Sequence, residues 1–262
     1  MSLPILMLAA TAALATATPD DRYADKRAAM VATIADDIAK ARPTTPLPGL
    51  KRVLAIVGAV PRERFVVPSG RAFAYVDMPQ QIGFGQTISD PYIVTVMTAA
   101  LDLPAGARVL DIGTGSGYQA AVLSPLAAAV SSIEIVAPLA RQAKARLHHM
   151  GYRNIDVRSG DGFAGWPGHA PFDGIIVAAG ASVIPQPLID QLKPGGRMVI
   201  PIGPTTPQEQ LLVVTKAADG TITRCSLGLA MFVPLTGRGQ RPPDTHGLID
   251  RTIPYCYGVA IT

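Results

Sequence analysis

The sequence predicts an α/β fold: a doubly wound, mostly parallel sheet preceded by an N-terminal helical extension. Three observations point to it. From residue 107 onward, short apolar runs alternate with segments of helical periodicity, the pattern of strands joined by crossover helices. The first of these runs opens into a glycine-rich turn and then a helix, an arrangement that offers a ligand the N-terminus of that helix. The composition is that of a chain with a core to bury: 262 residues, 48% hydrophobic and 16% charged, which excludes a disordered chain. At ~100–200 residues per domain, the length allows one large domain or two small ones.

The elements follow in order. Residues 3–14 are almost wholly apolar, Ala15-Thr16-Ala17 follows, and the first charged side chain is Asp20. This reads as a signal peptide over residues 1–17, and it places the protein in the periplasm or outside the cell. The alternative is an alanine-rich helix in a cytoplasmic protein. The run is short for a membrane span of ~20 residues, so no stable membrane insertion is expected after cleavage. Residues 20–41 form a helix, with Met30, Ile34 and Ile38 at four-residue spacing. Leu50, Val53, Leu54 and Val57 suggest a second short helix. A polar, glycine-containing loop runs to Ser89. Asp90 is a plausible N-cap and Pro91 a plausible first residue of a helix through Leu101. Strands are expected at residues 109–112, 130–135, 155–158, 172–178 and 197–202. Helices are expected from the glycine turn to about Ala128, at 138–150 and at 187–192. Residues 211–216 and 227–233 look like an antiparallel finish, which brings the sheet to seven strands. Residues 237–262 lack periodicity and read as a C-terminal tail.

The glycine loop bears on the ligand. Asp111-Ile112-Gly113-Thr114-Gly115-Ser116-Gly117 has the spacing G-x-G-x-G, and Tyr118 stands where a dinucleotide fingerprint needs its third glycine. A carboxylate at Asp111 would repel a pyrophosphate but suits a cation. S-adenosylmethionine carries a sulfonium and an ammonium and no phosphate. Glu134, 23 residues on, ends the second strand, where an acid can take ribose hydroxyls. Gly160-Asp161-Gly162 follows the third strand.

This loop resembles motif I of the class I S-adenosylmethionine-dependent methyltransferases. Upstream, Gln81-Ile82-Gly83-Phe84-Gly85-Gln86-Thr87-Ile88-Ser89-Asp90-Pro91 resembles the I-G-x-G-Q-T-I-S-x-P signature of the protein-L-isoaspartate O-methyltransferase family. Val60-Pro61-Arg62, Tyr75 with Asp77, Gln191-Leu192-Lys193-Pro194-Gly195-Gly196-Arg197 and Phe232-Val233-Pro234-Leu235 agree with it. The resemblance runs from about Leu50 to Thr236. It implies a class I methyltransferase sheet over residues 18–236, with helices and a substrate loop in 18–103 and the cofactor-binding core in 104–236. It implies methyl transfer from S-adenosylmethionine to the α-carboxylate of L-isoaspartyl residues in damaged proteins and peptides. Ser89 would be the catalytic residue, unless it serves only to cap the helix at Pro91. Thr87, Ile88, Asp111, Gly113, Thr114, Gly115 and Gly117 would hold the cofactor, with Glu134 on the ribose, Asp161 and Gly162 on adenine, and Thr236 closing the site.

Two positions depart from the family pattern. The fourth strand ends Val177-Ala178-Ala179-Gly180 where relatives read V-T-A-A, and Asp90 replaces a commonly neutral residue. The first departure leaves room for a methyltransferase with a small-molecule acceptor. The leader leaves room for a non-catalytic exported binding protein on the same fold. The net charge of +4 is scattered, so no nucleic-acid partner is expected, and no metal site or oligomer is expected either. His148 and His149 read as solvent-facing. Trp166 either covers the adenine or packs. Cys225 and Cys256 are either buried thiols or, in an exported protein, a disulfide.

Overall fold

The computed structural model describes residues 21–203, 208–238 and 249–262. The expected leader lies outside them. Helix α1 (Ala24–Lys40) buries Met30, Ile34 and Ile38, the stripe that the spacing predicts. Helix α2 (Leu50–Ala59) buries Val53 and Val57. Helix α3 (Pro91–Ala100) starts as expected: the Asp90 carboxylate accepts the Ile93 N–H at 2.7 Å, and Pro91 occupies the first turn, where its missing donor costs nothing. These three helices pack on one another and supply one side of the core.

Part of the expected loop before Ser89 is instead ordered. A 3-10 turn (Pro68–Phe73) leads to a hairpin of β1 (Gln80–Gly83) and β2 (Gln86–Ile88). Its two-residue turn puts Phe84 and Gly85 at φ 55° and 71°. Positive φ at both positions matches the twist of the strands and is unusual for a phenylalanine.

The main sheet has seven strands: β3 (Ala107–Ile112), β4 (Ala127–Glu134), β5 (Ile155–Ser159), β6 (Phe172–Val177), β7 (Leu192–Ile202), β8 (Glu209–Lys216) and β9 (Ile222–Ala230). Their order is β5-β4-β3-β6-β7-β8-β9. The first five are mutually parallel, and β8 and β9 finish the sheet antiparallel. Alternation along each strand feeds two core layers. Val109, Ile176, Val199 and Val213 join α1–α3 on one face. Leu110, Ile175, Met198 and Leu212 form the layer on the other face. Helices α4 (Tyr118–Leu123), α5 (Ala137–His149) and α6 (Gln186–Gln191) complete the layers. No helix among the described residues is long and apolar enough to cross a membrane.

One helix is shorter than its alanine content predicts. Instead of reaching Ala128, α4 stops at Leu123; Ser124–Leu126 tighten into a 3-10 turn around Pro125, and Ala127 already pairs in β4. The end of the tail is also built into the fold. Residues 254–262 run along β9: Ser226 N–H donates to Pro254 O, Cys256 N–H to Ser226 O and Ile261 N–H to Leu227 O. Cys225 and Cys256 form a disulfide, so the thiol alternative does not hold. Thr44 donates through both N–H and Oγ1 to Tyr257 O, and Tyr92 Oη donates to Ile261 O.

Candidate active site

The strand order reverses between β3 and β6, and ligands of such sheets sit beyond the carboxyl ends of the strands at that switch. The glycine loop lies there. Gly113 N–H and Thr114 N–H both donate to Ile133 O, which fastens the loop to β4. Gly113 has a φ of 90°, a left-handed conformation that glycine adopts without the strain a side chain would bring. Glu134 is 4% exposed. Its Oε2 accepts Gly115 N–H at 2.7 Å and its Oε1 accepts Val136 N–H at 2.9 Å, so the carboxylate is held from both sides.

Two adjoining cavities open on this loop. The larger, about 500 Å³, is lined by Thr87, Gly113, Gly115, Glu134, Gly162 and Thr236 among the expected residues. The smaller, about 410 Å³, is lined by Thr87, Ile88, Ser89, Gly113, Thr114 and Gly115. Thr87, Gly113, Gly115 and Ala178 border both, so a ligand in one reaches the mouth of the other.

Three expected residues do not line either cavity. Gly117 packs against Leu147 of α5, where a Cβ would stand 3.1 Å from Leu147 Cδ1. Asp111 is fully buried beneath the loop. Its Oδ2 accepts from Ser132 Oγ at 2.6 Å, and Ser132 Oγ meets Thr114 Oγ1 at 2.5 Å. Its Oδ1 has no hydrogen-bond partner among the described residues. Burial pushes the Asp111 carboxyl up to about 7, against the Ser132 bond and with help from the charge of Glu134. Asp161 turns to the chain itself: Oδ1 accepts Phe163 N–H at 2.9 Å and Oδ2 accepts Arg238 N–H at 2.8 Å. It thereby clamps the segment that follows Thr236.

Ser89 is half-buried at the end of β2. It does not cap α3; Asp90 does. Asp77 Oδ1 accepts the Tyr92 N–H at 2.9 Å, so both acids near Ser89 are engaged with the first turn of α3. This accounts for the departure at Asp90. Burial raises the Asp90 carboxyl, the charge of Asp77 adds to this, and the Ile93 N–H opposes it. Position at Ser89 is set by Arg62, which is 0% exposed. Arg62 Nη2 donates to Ser89 O at 2.7 Å and Nε to Ala74 O at 2.9 Å, and the guanidinium lies 4.7 Å from the Tyr118 ring centroid. Burial lowers the pKa of Arg62, with Tyr118 and Asp90 opposing. The sequence offers no periodic signal for this role, since it depends on contacts 12, 27 and 56 residues apart. The cavity residues Gln86, Ile135, Gln119 and Val233 were likewise not singled out as ligand contacts. Trp166 packs: it stacks on His169 at 4.0 Å, and Arg158 covers it at 4.2 Å.

Residues 48–240 match the family model described as protein-L-isoaspartate(D-aspartate) O-methyltransferase. The chain belongs to the protein-L-isoaspartate O-methyltransferase family. It is 50% identical over 237 residues to protein-L-isoaspartate O-methyltransferase 2 of Syntrophobacter fumaroxidans, covering 90% of this chain and 96% of that one. It is 48% identical to protein-L-isoaspartate O-methyltransferase 1 of Cupriavidus necator, over 90% and 92% of the two chains. A solved protein-L-isoaspartate O-methyltransferase superposes with a TM-score of 0.68 at 25% identity, over 80% of this chain and 66% of that one. The hairpin, the glycine loop and the cavity residues Val233 and Thr236 all lie within the matched residues.

Proposed function

We propose that the protein repairs aged proteins by methylating the α-carboxylate of L-isoaspartyl residues with S-adenosylmethionine. The observation that carries this reading is the shared wall of the two cavities. Ser89 lines the smaller cavity, which borders the glycine loop, so a carboxylate held at Ser89 faces whatever the loop holds. The residues fit the donor. Glu134 lines the larger cavity and Asp111 lies buried behind it with an unpartnered oxygen, a charge pattern for a cation rather than a phosphate. When bound, S-adenosylmethionine supplies an electrophilic methyl group.

What remains for the chain is placement. A substrate carboxylate is ionised at neutral pH, so no side chain need remove a proton. Ser89 holds the carboxylate through its hydroxyl. Thr87 borders both cavities and carries the β2 backbone from the larger one to the smaller, which Ile88 lines beside Ser89. Arg62 fixes the Ser89 carbonyl, and the cavity walls exclude water, so the rate comes from alignment and desolvation. The test is incubation with labelled S-adenosylmethionine and matched isoaspartyl and aspartyl peptides. Selective labelling of the isoaspartyl peptide is expected, with Ser89→Ala losing most turnover while still binding the donor. Equal labelling of both peptides, or none, overturns the reading.

The same proposal puts the protein outside the cytoplasm. The apolar run at residues 3–14 before Ala15-Thr16-Ala17 supports this. The Cys225–Cys256 disulfide supports it too, since disulfides persist in oxidising compartments. An intact Met1 on the natural protein in the cytosolic fraction would overturn it.

A further inference from the structure

The glycine that ends Val177-Ala178-Ala179-Gly180 has a partner. A Cβ on Gly180 would stand 2.4 Å from Oε1 of Glu209. Glu209 begins β8 and is 0% exposed. Its Oε2 accepts the Phe232 N–H at 3.1 Å, and its Oε1 has no hydrogen-bond partner among the described residues. Gly180 is tied to the same segment from the other side: its N–H donates to Val233 O at 2.9 Å, and its carbonyl accepts Leu235 N–H at 2.7 Å. One carboxyl group and one glycine thus hold residues 232–235 at three points. Val233, Pro234 and Leu235 line the larger cavity.

A buried carboxyl with half of its acceptor capacity unused is costly, and native structures keep few such groups. Glu209 does not reach the cavity, so its effect passes through the wall. We propose that Glu209 is a positioning residue for the methyl donor. Through Phe232, and through the space that Gly180 leaves, it sets where the wall of residues 233–235 stands and so sets donor affinity. This rests on the larger cavity being the donor site.

Calorimetric titration of the full chain with S-adenosylhomocysteine tests it. Glu209→Gln keeps a carbonyl for the Phe232 N–H and is expected to bind within about twofold of wild type. Glu209→Ala leaves that N–H unpaired, and a loss of about tenfold in affinity is expected. Its kcat at saturating donor should stay within about twofold, a separation that general unfolding would not give. Gly180→Ala pushes a methyl group into the carboxyl group and should weaken binding by a similar factor. In the double variant Gly180→Ala/Glu209→Ala the two losses should not multiply, because the second change removes what the first collides with. Wild-type affinity in Glu209→Ala overturns the proposal, as do multiplying losses. If Glu209→Ala fails to fold, wild-type affinity in Gly180→Ala overturns it instead. A wild-type chain that binds no S-adenosylhomocysteine removes the underlying reading of the cavity as well, which sets that failure apart from one confined to Glu209.

Discussion

Replacing Glu134 with glutamine isolates the carboxylate that braces the glycine loop. Glu134 accepts Gly115 N–H and Val136 N–H, one on each oxygen. Glutamine offers a single acceptor oxygen, so one of those N–H groups would face an NH₂. The change removes one charge-assisted hydrogen bond in a site that is 4% exposed, a loss of about 1.5–3 kcal/mol. If the carboxylate also holds the donor, losing a second bond of that kind to the ligand lowers affinity by a factor of about 10–150. Stability falls too, by roughly 3–12 °C in Tm at about 2–4 °C per kcal/mol. The assay pairs calorimetry with S-adenosylhomocysteine and a thermal melt of the same samples. A lowered Tm with Kd within about twofold of wild type would refute the reasoning, because Glu134 would then be only a brace.

Asp111 supplies a pH prediction. Its folded pKa of about 7 lies above the ordinary 3.8, so the fold favours the protonated form; the resulting loss of stability grows as pH rises from about 4 to about 7 and then levels. A cationic donor favours the ionised form, so affinity should rise about tenfold from pH 6 to pH 8, and Asp111→Asn should flatten that profile in calorimetry. Arg62→Lys keeps a buried charge but cannot bond Ala74 O and Ser89 O together; steady-state kinetics should show kcat down about tenfold with S-adenosylhomocysteine Kd within about threefold. Cys225→Ser opens a loop closed over a sequence separation of 31, worth about 3–4 kcal/mol by chain entropy; melting should show Tm lower by roughly 10 °C, and a reductant should do the same to wild type.

The core was legible because its cause is local. A short run such as Gly174-Ile175-Ile176-Val177, β-branched and set between turn signals, reads as a buried strand, and Asp90-Pro91 carries its own start signal. The glycine loop and Glu134 were legible for the same reason, since each ends a strand that the sequence marks. The hairpin was not: β1 and β2 bury only Ile82 and Ile88, too little to print an alternation. Alanines 127–129 suit a helix intrinsically, and it is Pro125 and pairing with β3 that make them strand. Residues 254–262 attach largely through backbone bonds, which leave no side-chain pattern. Asp161 follows a strand that the sequence marks, yet it aims at Arg238 and Phe163, a geometry that spacing cannot encode. Arg62 and Glu209 act across the chain and so have no local sign at all.

Residues 254–262 have a consequence for the order in which the fold is completed. Their bonds to Thr44 and Tyr92 span 213 and 169 positions of sequence. Synthesis proceeds from the N-terminus, and contacts of such separation close late. The helices beside Ser89 are therefore tied down only after residues 257–261 have been made. A chain lacking residues 254–262 would keep its cofactor half whole and lose the bonds that tie Thr44 and Tyr92 to β9.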